Sequence, residues 1–329
     1  MRSWRDGLAV PMREWENGAA AVAENGRAAA DRDGEKGRSL FVIFNPIAGQ
    51  RRGGLFARVS AALAAHGIHV RTAATAARGD AARLAQAARD AGTVAVAGGD
   101  GTINEAINGL AGGRARLALI PLGTANVLAA ELGLPSDPDA LARIAAGGAA
   151  RAIHLGQADL ASGTRRFSMM AGVGFDAHVV ANVPLGLKRA AGKVAYGWQM
   201  LAEWLRLGPL RFRVTADGVP YDCASAILAN GRYYAGRYVA APEASLDRPS
   251  YELVLFEHGG RWAVLRYALA LGLGRLHKAK GVRILRAREI SIDGDSREPV
   301  HADGDVIGTL PVRFTIASER LEVLVPPRA

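Results

Sequence analysis

Val94-Ala-Val-Ala-Gly-Gly-Asp-Gly-Thr-Ile-Asn-Glu-Ala-Ile-Asn-Gly-Leu110 is the stretch on which the fold turns. Val94 to Ala97 is an apolar run of strand length. Gly98, Gly99 and Gly101 then bend the chain, and Ile103, Ala106, Ile107 and Leu110 recur at helical spacing. A strand that opens a helix through glycines is a phosphate site in principle. Glycine lets the backbone come close, the first helical amides point outward, and the helix dipole favours an anion. Asp100 stands in the same turn, where a carboxylate repels phosphate unless a cation lies between them. That combination points to magnesium-nucleotide chemistry. The competing reading of a bare Gly-Gly-Asp-Gly is a tight strand-helix turn with a surface Asp.

Two further stretches repeat the pattern. Leu117-Ala-Leu-Ile-Pro-Leu-Gly-Thr-Ala-Asn126 runs from strand through Gly-Thr to helix, and Leu40-Phe-Val-Ile-Phe-Asn-Pro-Ile-Ala-Gly49 does so through Asn-Pro. Three such turns line the carboxyl edge of a parallel sheet, where open α/β sheets bind ligands. Between them, Leu55, Phe56, Val59 and Leu63 mark a helix closed by Gly67, and Ile68 to Thr72 reads as a strand. Ala81 to Arg89 forms a helix with Asp80 at its N-cap, and Pro138 to Ala146 forms another. Strands alternating with helices imply a parallel sheet covered on both faces.

Near Arg151 the pattern changes to short runs rich in β-formers: Ile153 to Leu160, Arg166 to Gly172, Leu210 to Ala216, Tyr221 to Asn230, Tyr251 to Phe256, Val282 to Ala287 and Glu289 to Ile292. This is a mostly antiparallel β domain. Two helical segments interrupt it, Lys188 to Leu207 and Arg261 to Lys280. The expected division is a flexible leader over 1–38, an α/β domain over 39–150 and a β domain over 151–329, whose last strand is free to return to the first. The leader mixes Ala, Gly and balanced charge and carries almost no aliphatic pattern; an upstream start codon wrongly chosen is the other reading.

Composition narrows the class. Half of the 329 residues are hydrophobic and 22% are charged, as in globular proteins. A single cysteine, Cys223, excludes an intrachain disulfide, and no Cys/His cluster has zinc spacing. The net charge of +10 fits an anionic surface, nucleic acid, or only an Arg-rich proteome. No helix-turn-helix, RNA-binding or zinc signature accompanies it, so no nucleic-acid partner is expected. There is no apolar run long enough to span a bilayer and no signal-peptide h-region.

Taken in order, Asn45-Pro-Ile-Ala-Gly49, Gly98-Gly-Asp-Gly-Thr-Ile-Asn104 and Pro121-Leu-Gly-Thr-Ala-Asn126 resemble the diacylglycerol kinase catalytic domain. Gly172-Val-Gly-Phe-Asp-Ala177, Ala241-Pro-Glu-Ala244 and Ala302-Asp-Gly-Asp305 extend the resemblance, from Ser39 to the C-terminus, to the bacterial lipid kinase branch related to sphingosine kinases. It implies an α/β domain of the phosphofructokinase and NAD-kinase kind that binds ATP, followed by a β-sandwich that takes the lipid. It places nucleotide contacts at Asn45, Pro46, Ile47, Ala48, Gly49, Thr75, Gly98, Gly99, Asp100, Gly101, Thr102, Ile103, Asn104 and Thr124. Asp100 is expected to orient Mg²⁺ or its waters. The family's Asp-Gly-Glu base motif reads Asp303-Gly304-Asp305 here, one methylene shorter, so the resemblance puts the base on Asp305 with Asp303 as partner or substitute. The competing reading of Asp303-Gly304 is a polar hairpin turn.

One departure stands out. Where the branch carries Asp-Asp-Gly as a structural magnesium site, this chain has Asp247-Arg248-Pro249-Ser250. That site is expected to be absent or altered, with Arg248 supplying a fixed cation in its place.

The expected reaction is transfer of the ATP γ-phosphoryl to a lipid hydroxyl, in the cleft between the domains. The expected location is cytoplasmic, at the inner face of the membrane. Basic residues about Lys188 to Leu207 and over Arg275 to Arg283 would give transient contact with an anionic surface, unless the Trp stripe of the former only packs on the sandwich. The rival functions are an NAD-kinase-like nucleotide kinase, a non-catalytic basic protein that binds membrane or nucleic acid, and a pseudokinase, which Asp305 and Arg248 leave open.

Overall fold

The computed structural model describes residues 39–49, 54–182 and 210–327. The expected leader and the expected helix from Lys188 to Leu207 lie outside them. The described residues fall into two compact units, one up to Ile153 and again from Glu319 onward, the other His154–Ser318.

The first unit is built on strands β1 (Ser39–Phe44), β2 (His69–Ala74), β3 (Thr93–Gly98) and β4 (Arg116–Pro121), joined through helices α1 (Leu55–Ala65), α2 (Asp80–Ala87) and α3 (Asp100–Leu110). α4 (Val127–Glu131) and α5 (Pro138–Gly147) follow. The strands are parallel in the order β2-β1-β3-β4. Val42, Ile43, Val94 to Ala97 and Leu117 are fully buried, as strands covered on both faces require. α2 lies so close to α3 that a Cβ on Gly109 would fall 2.2 Å from the Ala82 carbonyl oxygen, so only glycine fits there.

The order of the strands shapes the carboxyl edge of the sheet. From β1 the chain goes outward to β2 and then returns to the other side of β1 as β3. The connections leaving β1 and β3 therefore diverge and open a crevice at their carboxyl ends. The loops that leave there begin at Asn45 and Gly99.

Asp80 differs from expectation. It is the first residue of its helix, with Gly79 at the N-cap, and its carboxylate faces back into the preceding loop. It accepts the N–H groups of Ala76 and Ala77, each at 2.8 Å, and Arg83 at 2.7 Å. Burial alone would raise its pKa, but these donors outweigh it and hold the carboxyl below its ordinary value.

The second unit is a β-sandwich. Its strands are the end of β5 (Ala149–Leu160), β6 (Gly163–Phe167), β7 (Met170–Val173), β8 (Phe212–Ala216), β9 (Val219–Cys223), β10 (Ser225–Ala229), the short β11 (Tyr233–Tyr234) and β12 (Tyr238–Val239), β13 (Tyr251–Phe256), β14 (Val282–Ala287), β15 (Ile290–Asp293), β16 (Pro299–Ala302), β17 (Asp305–Thr309) and the start of β18 (Val312–Val325). One sheet runs β14-β13-β10-β7-β16-β17, antiparallel throughout. Facing it, β18, β15, β8 and β9 pair antiparallel, with β5 and β6 alongside. Phe167, Tyr251 and Phe314 fill the space between. Phe167 stacks on Tyr251 at 5.8 Å and meets Phe314 edge-on at 6.1 Å. A Cβ on Gly156 would sit 2.2 Å from the Phe167 ring, so that glycine makes room for the aromatic centre.

Two runs expected as single strands are each two strands in different sheets. Phe167 pairs with Gly156 in one sheet, while Met170 pairs with Ala229 in the other. Likewise Cys223 pairs with Phe212, and Ser225 with Phe256. A strand that turns the corner of a sandwich keeps its apolar character through the switch, so pattern alone runs the two together. The helix expected over Arg261 to Lys280 is also shorter. It spans Arg261–Gly272, and after Gly274, at φ +67°, the chain makes only a 3₁₀ turn, Leu276–Lys278.

Candidate active site

Three turns of the first unit are tied together by side chains that the sequence places far apart. After β1, Asn45 caps the helical turn Pro46–Gly49: its Oδ1 accepts the N–H groups of Ile47 at 3.0 Å and Ala48 at 3.3 Å, and Pro46 occupies the first helical position. Its Nδ2 donates to Thr102 Oγ1 at 2.8 Å, and its backbone N–H donates to the Ala97 carbonyl at 2.9 Å. Thus the first turn is anchored to the second by both backbone and side chain.

The second turn needs its glycines for space. A Cβ on Gly98 would lie 2.7 Å from Thr102 Cβ. Gly99 is extended at the N-cap of the eleven-residue α3 and offers no side chain to its amides. The third turn comes up against it: a Cβ on Gly123 would lie 2.7 Å from Gly99 Cα and 2.8 Å from Asn126 Oδ1. The lock between these two turns is Asp100. Its Oδ2 accepts the Asn126 N–H at 2.9 Å and its Oδ1 accepts the Val127 N–H at 2.7 Å. Asn126, held at φ +49°, donates its Nδ2 to the Gly123 carbonyl at 2.8 Å. Thr75 lies at the end of β2, where its N–H donates to the Phe44 carbonyl at 2.8 Å, and Thr124 is exposed on the third turn.

Three of the expected contact residues also have structural partners within the unit. Asp100 caps the start of α4, taking one backbone N–H on each carboxylate oxygen. Ile103 is 1% exposed and its N–H donates to the Gly99 carbonyl, so it belongs to the core. Asn104 is buried as well, and it accepts Asn108 Nδ2 at its backbone carbonyl and its Oδ1. The resulting rim, Asn45 to Gly49, Gly98 to Thr102, Gly123 and Thr124, presents glycine backbone, hydroxyls and an uncapped helix N-terminus, a surface suited to an anion.

In the second unit, Asp303 and Gly304 form the two-residue turn between β16 and β17, with φ of +47° and +81°. Positive φ at both positions is the hairpin geometry that Asp-Gly favours. The Asp303 carboxylate is taken up by the corner opposite: Oδ2 accepts Ser168 N–H at 2.7 Å and Ser168 Oγ at 2.9 Å, and Oδ1 accepts the N–H groups of Met169 at 2.9 Å and Met170 at 3.0 Å. These four bonds fix the Asp303 carboxylate against that corner. Asp305 is half-buried at the head of β17, which packs against helix α6 (Phe175–Asn182).

A buried pair that no sequence motif singles out as a pair lies beside that helix. His301 Nε2 lies 2.7 Å from Asp176 Oδ2, with the two residues 2% and 9% exposed. Asp176 Oδ1 accepts the Ala177 N–H at 2.9 Å. A Cβ on Gly172 would come within 3.1 Å of His301 Nε2 and 2.7 Å of the Ala226 carbonyl, so the pair also dictates that glycine. Asp176 sits inside the Gly172 to Ala177 motif; His301 carries no comparable signal. Asp176 further lines an apolar cavity of ≈ 120 Å³, walled by Phe175, Ile227, Phe256, Val264, Tyr267 and Leu271. Cys223 offers no nucleophile, because burial pushes its thiol up to about 12.

Among the described residues no group of three or more His, Cys, Asp or Glu side chains is placed to hold a metal ion. In the loop after Ala241-Pro-Glu-Ala244, the Arg248 guanidinium donates to the Glu243 carbonyl at 3.2 Å. No helix among the described residues is long and apolar enough to cross a membrane.

Comparison with known proteins agrees with this architecture. Residues 39–158 match the diacylglycerol kinase catalytic domain, and residues 169–325 match the YegS C-terminal NAD kinase beta sandwich-like domain. The chain is 33% identical over 254 residues to a diacylglycerol kinase of Mycobacterium tuberculosis, covering 75% of this chain and 82% of the relative. It is 29% identical over 300 residues to a diacylglycerol kinase of Bacillus subtilis, covering 87% and 95%. A probable lipid kinase YegS-like of Pseudomonas aeruginosa is 31% identical over 254 residues, again covering 75% and 82%. A crystal structure from Bacillus anthracis strain Sterne shares the fold, with a TM-score of 0.72 at 22% identity over 90% of this chain and 98% of that one. With a parallel α/β unit that carries the ordered glycine turns and a β-sandwich, both matched across most of the chain, the protein belongs to the diacylglycerol kinase family of lipid kinases.

Proposed function

We propose that the protein is an ATP-dependent kinase that phosphorylates the hydroxyl of a lipid, with a diacylglycerol-like alcohol as the acceptor to test first. The observation that carries the reading is the set of three interlocked turns at the switch point of the parallel sheet. Asn45–Thr102 and Asp100–Asn126 hold glycine backbone and the α3 N-terminus at one rim. Such a rim binds polyphosphate through amides and dipole, without reorganisation when charge develops. The apolar cavity beside Asp176 supports a lipid rather than a nucleotide acceptor.

In this reading Gly98 to Thr102 and Thr124 orient the triphosphate, Thr75 and Asn45 to Gly49 flank it, and Asp305 takes the proton from the acceptor hydroxyl. Magnesium arriving with the nucleotide would supply charge neutralisation across the phosphates. Asp100, whose oxygens each take one backbone N–H, would orient such an ion or its waters with its remaining acceptor capacity. We further read Arg248, on the Glu243 carbonyl, as the fixed cation of its loop in place of the branch's structural magnesium.

The deciding experiment is incubation with γ-labelled ATP and a total lipid extract. Label is expected in the organic phase, in a product heavier than its acceptor by one phosphoryl group. Label in NADP instead would overturn the lipid assignment. Gly123→Ala tests the donor side, because the added methyl has no room against Gly99. The Kd for ATP is expected to rise at least about tenfold, or ~1.4 kcal/mol, by calorimetry. An unchanged Kd would place the nucleotide elsewhere.

A further inference from the structure

Helix α7 (Arg261–Gly272) has two apolar faces, and only one of them looks inward. Val264, Tyr267 and Leu271 line the cavity described above. On roughly the opposite side, Trp262, Leu265, Leu269 and Leu273 follow at spacings of three and four, the repeat of one helical stripe. They are 79%, 39%, 60% and 73% exposed. Among the described residues eight large hydrophobics are exposed, and four of them stand on this single face. Such clustering marks an interaction surface rather than scatter.

Charge identifies what the surface meets. From His258 to Arg288 the chain carries eight Lys and Arg and no Asp or Glu. Arg283 and Arg286 face Glu257 and Glu252. Arg261 and Arg266 border the stripe on either side, and Arg275, Lys278 and Lys280 follow it, all exposed. A Trp-bearing apolar stripe flanked along the chain by basic side chains suits a helix lying in the interface of an anionic bilayer.

We propose that α7 docks on an anionic lipid membrane. Trp262, Leu265, Leu269 and Leu273 enter the headgroup boundary, and the bordering basic side chains rest on lipid phosphates. The same helix forms a wall of the apolar cavity, so docking sets that wall against the bilayer that supplies the acceptor. The last step rests on the lipid-kinase reading, whereas the docking does not.

The test is co-sedimentation of the full chain, without ATP, with vesicles of phosphatidylcholine alone and of phosphatidylcholine mixed with phosphatidylglycerol. Binding is expected on the mixed vesicles only, and it should weaken as salt is raised. In Trp262→Ser/Leu269→Ser the partition coefficient is expected to fall at least about tenfold. Thermal midpoint and turnover of a monomeric short-chain acceptor should be kept, because neither side chain is buried or lines the cavity. Trp262→Phe should retain most of the binding. Equal binding to both vesicle types, or unchanged binding by the double variant, overturns the proposal. So does light scattering that shows a dimer in the parent and a monomer in the variant, since the stripe is then a contact between copies. Vesicle binding together with no labelled lipid product upholds the docking and overturns the kinase reading.

Discussion

Asp305→Asn is expected to lower the turnover of lipid phosphorylation by about 10²–10⁴-fold, the usual contribution of a positioned general base. The amide is nearly the same size but cannot accept the hydroxyl proton. Since Asp305 heads a surface hairpin strand and is only half-buried, the thermal midpoint should barely move. Asp305→Glu restores the longer acid of the family motif and is expected to keep turnover. The informative comparison is kcat at saturating ATP beside a melting curve. A variant that retained a third of parental kcat would remove Asp305 from the mechanism.

Asp303→Ala has a different expected signature. The substitution strips four donors of their acceptor at the sandwich corner: Ser168 N–H and Oγ, Met169 N–H and Met170 N–H. Bonds to an ionised acceptor are the stronger ones, and amides left without a partner lose more than the bond itself. Ala must also take up φ +47°, a conformation that Asp tolerates better. A loss of about 3 kcal/mol follows, or roughly 6–12 °C in Tm. Activity should fall only as folded protein is lost, and Asp303→Asn, which keeps one carbonyl acceptor, should recover part of the loss. If Asp303→Asn abolished turnover with an unchanged midpoint, the roles of the two acids would be reversed.

Much of the first unit was legible in its residues because its signals are local. A glycine turn between an apolar run and a helical repeat needs no distant partner to be read, and three of them in order name both the parallel sheet and its carboxyl edge. The Asp-Gly turn was legible for the same reason: positive φ at two successive positions selects those residues directly. The β-sandwich was less so. Strands that change sheets at Ser168–Met169 and at Ala224 look continuous, and Pro299–Ala302, Asp305–Thr309 and Val312–Val325 were not marked out at all. Their pairing depends on neighbours far along the chain.

Residue chemistry by itself determined the ordered glycine turns, the β character of the second half and, through its single cysteine, the exclusion of an intrachain disulfide. Only the tertiary structure decided what the acids do. Asp100 caps a turn 26 and 27 residues away, Asp303 holds amides 133 to 135 residues away, and Asp176 meets His301 across 125. The physical reason lies in their partners. Most are backbone N–H groups, which nearly every residue carries, so no pattern of side chains announces which carboxylate will be spent on structure and which left for a substrate.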